Sequence, residues 1–168
     1  MSIPVWALSL AYWLHMLATV TWIGGLAALV LLVLPAARRA LQGPAYTAFL
    51  VSLQHRLDPL GWFSLLVLGG TGLFQMSASP NYRGFLAVSN TWAAAILVKH
   101  LVFLAMTATS AAITWGLMPR LGRLALLQTH GKETPEAPRL LQQEARLLRL
   151  NLVLGVIVLA LTALARAS

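Results

Sequence analysis

Four long apolar runs decide what this chain can fold into. They cover roughly residues 5–34, 45–76, 91–118 and 148–164. Each supplies most or all of the ~20 mainly apolar residues that a helix needs to cross a bilayer. Composition points the same way: 59% of the residues are hydrophobic and 10% are charged, against about 25% charged in soluble domains. The expected fold class is all-α, an integral membrane, antiparallel four-helix bundle forming one domain over 1–168. Pro35 is expected to close the first helix and Pro119 the third.

The segments between the runs are polar. "THGKETPEAPR", from Thr129 to Arg139, carries two prolines and reads as an exposed loop. "LLQQEARLLRLN" is amphipathic, and either extends the fourth helix beyond the membrane or lies along its surface. No basic stretch precedes the first run, so it reads as a retained helix rather than a cleaved signal peptide. The chain has no cysteine, which excludes disulfides, thiolate metal sites and redox thiols within it. Its net charge of +8 would point to nucleic acid if it formed a patch on a soluble surface. Here the cations lie between apolar runs, so the lipid bilayer is the expected partner and nucleic acid is not.

Those cations also set an expected orientation. Arg38, Arg39 and Arg56 fall between the first and second spans; Arg120, Arg123, Lys132, Arg139, Arg146 and Arg149 fall between the third and fourth. The opposite side offers Arg83 and, at the tail, Arg166. Basic loops stay cytoplasmic, which places both termini on the non-cytoplasmic side of a bacterial-type inner (plasma) membrane.

Chemistry-bearing side chains inside the spans are few. "LHMLATVTWIGGL", Leu14 to Leu26, holds His15, Trp22, Gly24 and Gly25. At 1.5 Å per residue, His15 lies about 15 Å below the outer end of the first helix and His100 about 12 Å below that of the third. Ionisable groups in the membrane are expensive and are read first as functional. Two histidines at matched depth on parallel helices can hold a haem iron from both sides. The plainer reading is that each imidazole hydrogen-bonds a neighbouring helix and that the glycines serve packing alone. Trp22, two turns beyond His15, shares its face. Gly25, and Gly70 on the second helix, would leave room for a flat macrocycle.

Lys99 must snorkel outward, pair with an anion or shed its proton, and a haem propionate would suit it. Adjacent helix positions point about 100° apart, so either Lys99 or His100 can face the spot that His15 faces, but not both. His55 and Arg56 near the inner end of the second helix fit a snorkelling cluster with Asp58, with a propionate contact for Arg56 as the alternative. His130 sits in the hydrophilic loop. Trp6, Trp13, Trp62, Trp92 and Trp115 read as interface or core residues.

"YWLHMLATVTWIGGL", "HRLDPLGWFSLLVLGGTGL", "AAILVKHLVFLAM" and "LLRLNLVLGVIVLALTAL", in that order along the chain, resemble the copper resistance protein D family of membrane domains. His15 with Trp22, the glycine-threonine-glycine turn, Lys99 and Asn151 carry the resemblance, which implies copper uptake or tolerance. The chain is also similar to the four-helix, haem-containing bacterial protoporphyrinogen oxidases, whose first-helix histidine, following tryptophan and third-helix lysine correspond to His15, Trp22 and Lys99. That resemblance implies haem b on the first-helix histidine. The oxidases carry an arginine late in the first helix, where this chain has the apolar "LAALVLLVLP".

Three functions follow as expectations. The first is a haem b protein that transfers electrons in the membrane, alone or as a small subunit beside other membrane redox subunits, with His15 and His100 as axial ligands. The second is a copper permease. Copper(I) prefers soft ligands, and the methionines Met1, Met16, Met76, Met106 and Met118 are scattered, with Met16 directed away from His15. The third is oxidation of a porphyrin.

Overall fold

The structure, a computed structural model, describes residues 4–82, 84 and 90–167. Arg83, which enters the charge balance above, and Met1 lie outside them. Among the described residues, four helices make up the fold: α1 (Val5–Ala40), α2 (Gly43–Ser77), α3 (Thr91–Thr129) and α4 (Ala137–Ala167), each long and apolar enough to cross a membrane. The 36 residues of α1 reach about 54 Å at 1.5 Å each, well beyond a hydrocarbon core of ~30 Å. The arginine-bearing ends of the helices therefore have length to spare beyond the apolar slab.

Local chemistry accounts for the helix ends. Asn90 caps α3, its side chain accepting from the Ala93 amide at 2.8 Å, which satisfies one of the unpaired first-turn donors. Pro44 occupies the first turn of α2, where a missing N–H leaves no bond unmade. At the end of α3, Gly131 takes φ +69°, and Gly131 and Lys132 return their amides to Gln128 and Leu127. This is a Schellman-type stop that needs a left-handed residue.

Neither Pro35 nor Pro119 closes its helix, contrary to the sequence expectation. A π-helical turn lies just before each, Leu29–Val33 before Pro35 and Ala112–Leu117 before Pro119. In a regular α-helix a proline ring collides with the carbonyl four residues back. Those carbonyls belong to Leu31 and Trp115, both within the π turns, where the wider winding makes room and the helix continues. A third π turn, Val20–Gly24, has no such proline after it. The amphipathic segment before Asn151 is part of α4, which runs unbroken from Ala137. The glycine-threonine-glycine stretch is likewise no turn, since it lies inside α2.

Side-chain pairs show that α1 and α2 are antiparallel. Ala11 meets Gln75, His15 meets Thr71, Trp22 meets Gly61 and Arg38 meets Tyr46. The first part of α3 packs chiefly on α4 and its last part on α2. Both termini share one end of the bundle, where the Arg166 guanidinium lies 5.1 Å from the centre of the Tyr12 ring. The densest core sits towards the other end, around Leu34, Leu50, Leu117, Leu121 and Leu148. Outward faces are apolar: Phe63, Leu66, Leu104 and Trp115 are all more than 60% exposed, a surface suited to lipid.

Polar side chains tie α4 to α3. Asn151, 2% exposed, donates through Nδ2 to Ser110 Oγ at 2.8 Å, and Ser110 donates to the Met106 carbonyl. Such interhelical bonds in membranes are worth about 0.6–2 kcal/mol. Ser110→Ala is expected to lower unfolding free energy in detergent by about that amount; unchanged stability would show that the bond contributes nothing.

Candidate functional site

The half of the bundle that carries the termini holds the site. His15, half-buried on α1, places Nδ1 2.8 Å from Thr71 Oγ1 on α2. The single Thr71 hydroxyl hydrogen is already given to the Val67 carbonyl one turn back, so towards the imidazole Oγ1 can only accept. Nδ1 must then carry the proton, and Nε2 is left with a bare lone pair. No described residue hydrogen-bonds Nε2. The ring rests on α2 where Gly72 has no side chain, its Cε1 3.6 Å from where a Cβ would stand. A hydrogen bond that sets tautomer and ring angle is the usual support for a metal-ligating imidazole.

Positive charge surrounds this ring. Lys99 of α3 and Arg166 of α4 lie within electrostatic reach of His15 and of each other. Gln75 donates to the Ala11 carbonyl at 3.1 Å, fastening α2 to α1 one turn from His15. His100, also half-buried, has Nδ1 2.7 Å from the Ile96 carbonyl of its own helix.

The other residues named from sequence fall elsewhere. Trp22 packs on α2 at Gly61, and with Gly25 it lines a cavity further along the bundle. Gly70 is exposed with nothing within 4 Å of a Cβ built on it, so it makes room for nothing inside the bundle. Arg56 and His55 are exposed, while Asp58 turns inward to the same cavity as Trp22. Trp62 stacks on Trp115, ring centres 5.0 Å apart. Met16 is 59% exposed. Among the described residues, no three histidine or carboxylate side chains gather as a metal site.

Sequence reasoning missed Thr71 and Arg166 as neighbours of His15, and Tyr12 as the ring against Arg166. Thr71 stood in a noted motif, but its role as acceptor depends on the rotation of α2. Arg166 was counted only as a charge at the tail.

The family model for copper resistance protein D matches residues 51–165. That segment runs from early α2 to nearly the end of α4 and leaves His15 outside it. No curated protein and no solved structure matches the chain. The match supports copper and gives no support to haem, electron transfer or a relation to the porphyrin oxidases.

Proposed function

The chain belongs to the copper resistance protein D family, a multi-pass membrane protein linked to copper resistance or uptake, and from that premise we propose that it passes copper across the membrane with His15 Nε2 as a ligand. What supports the reading is the Thr71 contact, which holds the ring by Nδ1 and leaves Nε2 free to bind. Imidazole suits copper, although copper(I) is held more tightly by thiolate and thioether. With no cysteine in the chain and no cluster of three ionisable ligands among the described residues, the ion is held weakly. Conduction needs binding favourable enough to admit an ion and weak enough to release it. Lys99 and Arg166 oppose a bare cation and weaken binding further.

Those same two cations favour a second reading, haem b. His15 and His100 would be its axial ligands, and Lys99 or Arg166 would pair with a propionate. Bound there, haem would supply one-electron transfer. The two readings predict opposite effects of one substitution. If copper is the cargo, Lys99→Leu removes a repelling charge without adding a sulfur ligand and tightens copper binding several-fold. If haem is resident, the purified protein is red with a Soret band, and Lys99→Leu lowers its haem content. The transport test uses the purified chain in lipid vesicles offered copper under reducing conditions. Accumulation at least tenfold faster than in protein-free vesicles is expected; equal rates would defeat the copper reading.

A further inference from the structure

A cavity of about 90 Å³ lies near the middle of the bundle, large enough to hold water. Two helices leave regular α winding around it, and a third carries a proline there. The α1 wall includes Trp22, within the π turn Val20–Gly24. The α2 wall includes Asp58, beside Pro59 in the helix interior, whose missing N–H leaves the His55 carbonyl without its helical partner. The α3 wall includes Thr114, within the π turn Ala112–Leu117. Irregular backbone at membrane depth is tolerated where it lines a cavity, and π turns recur at functional sites.

The polar groups in the walls lack partners of a particular kind. Among the described residues, Trp22 Nε1 is a buried donor with no acceptor, and Asn151 Oδ1 a buried acceptor with no donor. Asn151 is 2% exposed and lines the cavity. Both residues line the cavity, and a donor and an acceptor left without partners can both be satisfied by water; the indole N–H disfavours a metal cation there. Beside them the Asp58 carboxyl is within hydrogen-bonding reach of the Thr114 hydroxyl, which itself accepts from Trp62 Nε1 at 3.4 Å. His55, on the same helix, is the titratable side chain within electrostatic reach of Asp58. Among the described residues, α1, α3 and α4 contribute no titratable side chain to the walls.

We propose that this cavity is a proton-binding site, in which water held between Trp22 Nε1 and Asn151 Oδ1 carries a proton to and from Asp58. Intramembrane carboxyls with access to water are the usual proton carriers of pumps and transporters. A proton from a hydronium ion bonds to one carboxylate oxygen, neutralising Asp58 and leaving water, and it departs from that oxygen to water again. Resting on the copper reading above, the inference adds that copper movement is coupled to protons through Asp58.

The first test is infrared difference spectroscopy on the full chain in lipid as pH is stepped. A protonated-carboxyl band is expected in the unsubstituted protein. Glu144, which is buried, gives a carboxyl signal of its own, so the Asp58 band is read as the component lost in Asp58→Asn and regained in Asp58→Glu. Trp22→Phe, which keeps an aromatic ring and removes the N–H, should shift that band. Identical carboxyl signals with and without Asp58 overturn the proton site, and a band unmoved by Trp22→Phe overturns the water bridge. The second test imposes a pH gradient on vesicles taking up copper. Uptake should change several-fold in the unsubstituted protein and not in Asp58→Asn; an equal response in both overturns the coupling. Copper flux without an Asp58 band sinks the proton site alone. A band without copper flux under any gradient sinks the copper reading and the coupling that rests on it, and leaves the proton site standing.

Discussion

His15→Ala is expected to abolish the copper transport proposed here, and Thr71→Val to weaken copper binding by about 10–100-fold, the usual effect of removing the group that orients a metal ligand. The first substitution deletes the lone pair. The second keeps the shape of the side chain at 71 but takes away the oxygen that accepts from Nδ1. The ring is then free to rotate and to exchange tautomers, so Nε2 spends part of its time protonated and unable to bind. Thr71→Ser restores the acceptor and should restore most of the affinity. Competition against a chromogenic copper(I) chelator measures all three. Equal affinity across the series would mean that copper is bound elsewhere, whatever the rate of flux.

Gly61→Ala is expected to destabilise the bundle by about 1–3 kcal/mol, the usual effect of overpacking. A Cβ at 61 would stand 2.5 Å from Trp22 Cζ3, with Cε3 at 3.4 Å and Cη2 at 3.6 Å. The indole is a rigid plate, so relief requires the whole ring or the α1–α2 spacing to move. Gly70→Ala is the control, because nothing lies within 4 Å of the added methyl. There the gain in helix propensity, about 0.5–1 kcal/mol, should appear undiminished. Unfolding in detergent reads both substitutions. Trp22→Leu should remove most of the difference between them, as expected of residues in direct contact. If Gly61→Ala proves as stable as Gly70→Ala, the close approach of α1 to α2 at this level is wrong.

The two proline sites show where local rules stop. The steric argument that a proline ends a helix holds for regular α winding, and it places the ends of α1 and α3 too early. Each helix instead inserts a π turn one residue ahead of its proline, at Leu29–Val33 and Ala112–Leu117. The apolar pattern, which the lipid environment enforces, outweighs the local break. Asp58 departs from the sequence expectation for a related reason. Its neighbours His55 and Arg56 are exposed, which suits a surface cluster, yet Asp58 lines the internal cavity with Thr114, 56 positions away.

Sequence alone determined the four membrane helices and the small number of side chains able to do chemistry within them. Apolar length and helical period are local properties, and a bilayer admits few other ways to satisfy the backbone. Tertiary structure decided which groups meet: Thr71 on His15, Arg166 within electrostatic reach of Lys99, Trp22 in the gap at Gly61, and Asn151 with Trp22 in the lining of one cavity. These pairings depend on how each helix is rotated about its own axis. That rotation is set by packing between segments far apart in the chain, which the repeat of any one segment does not encode.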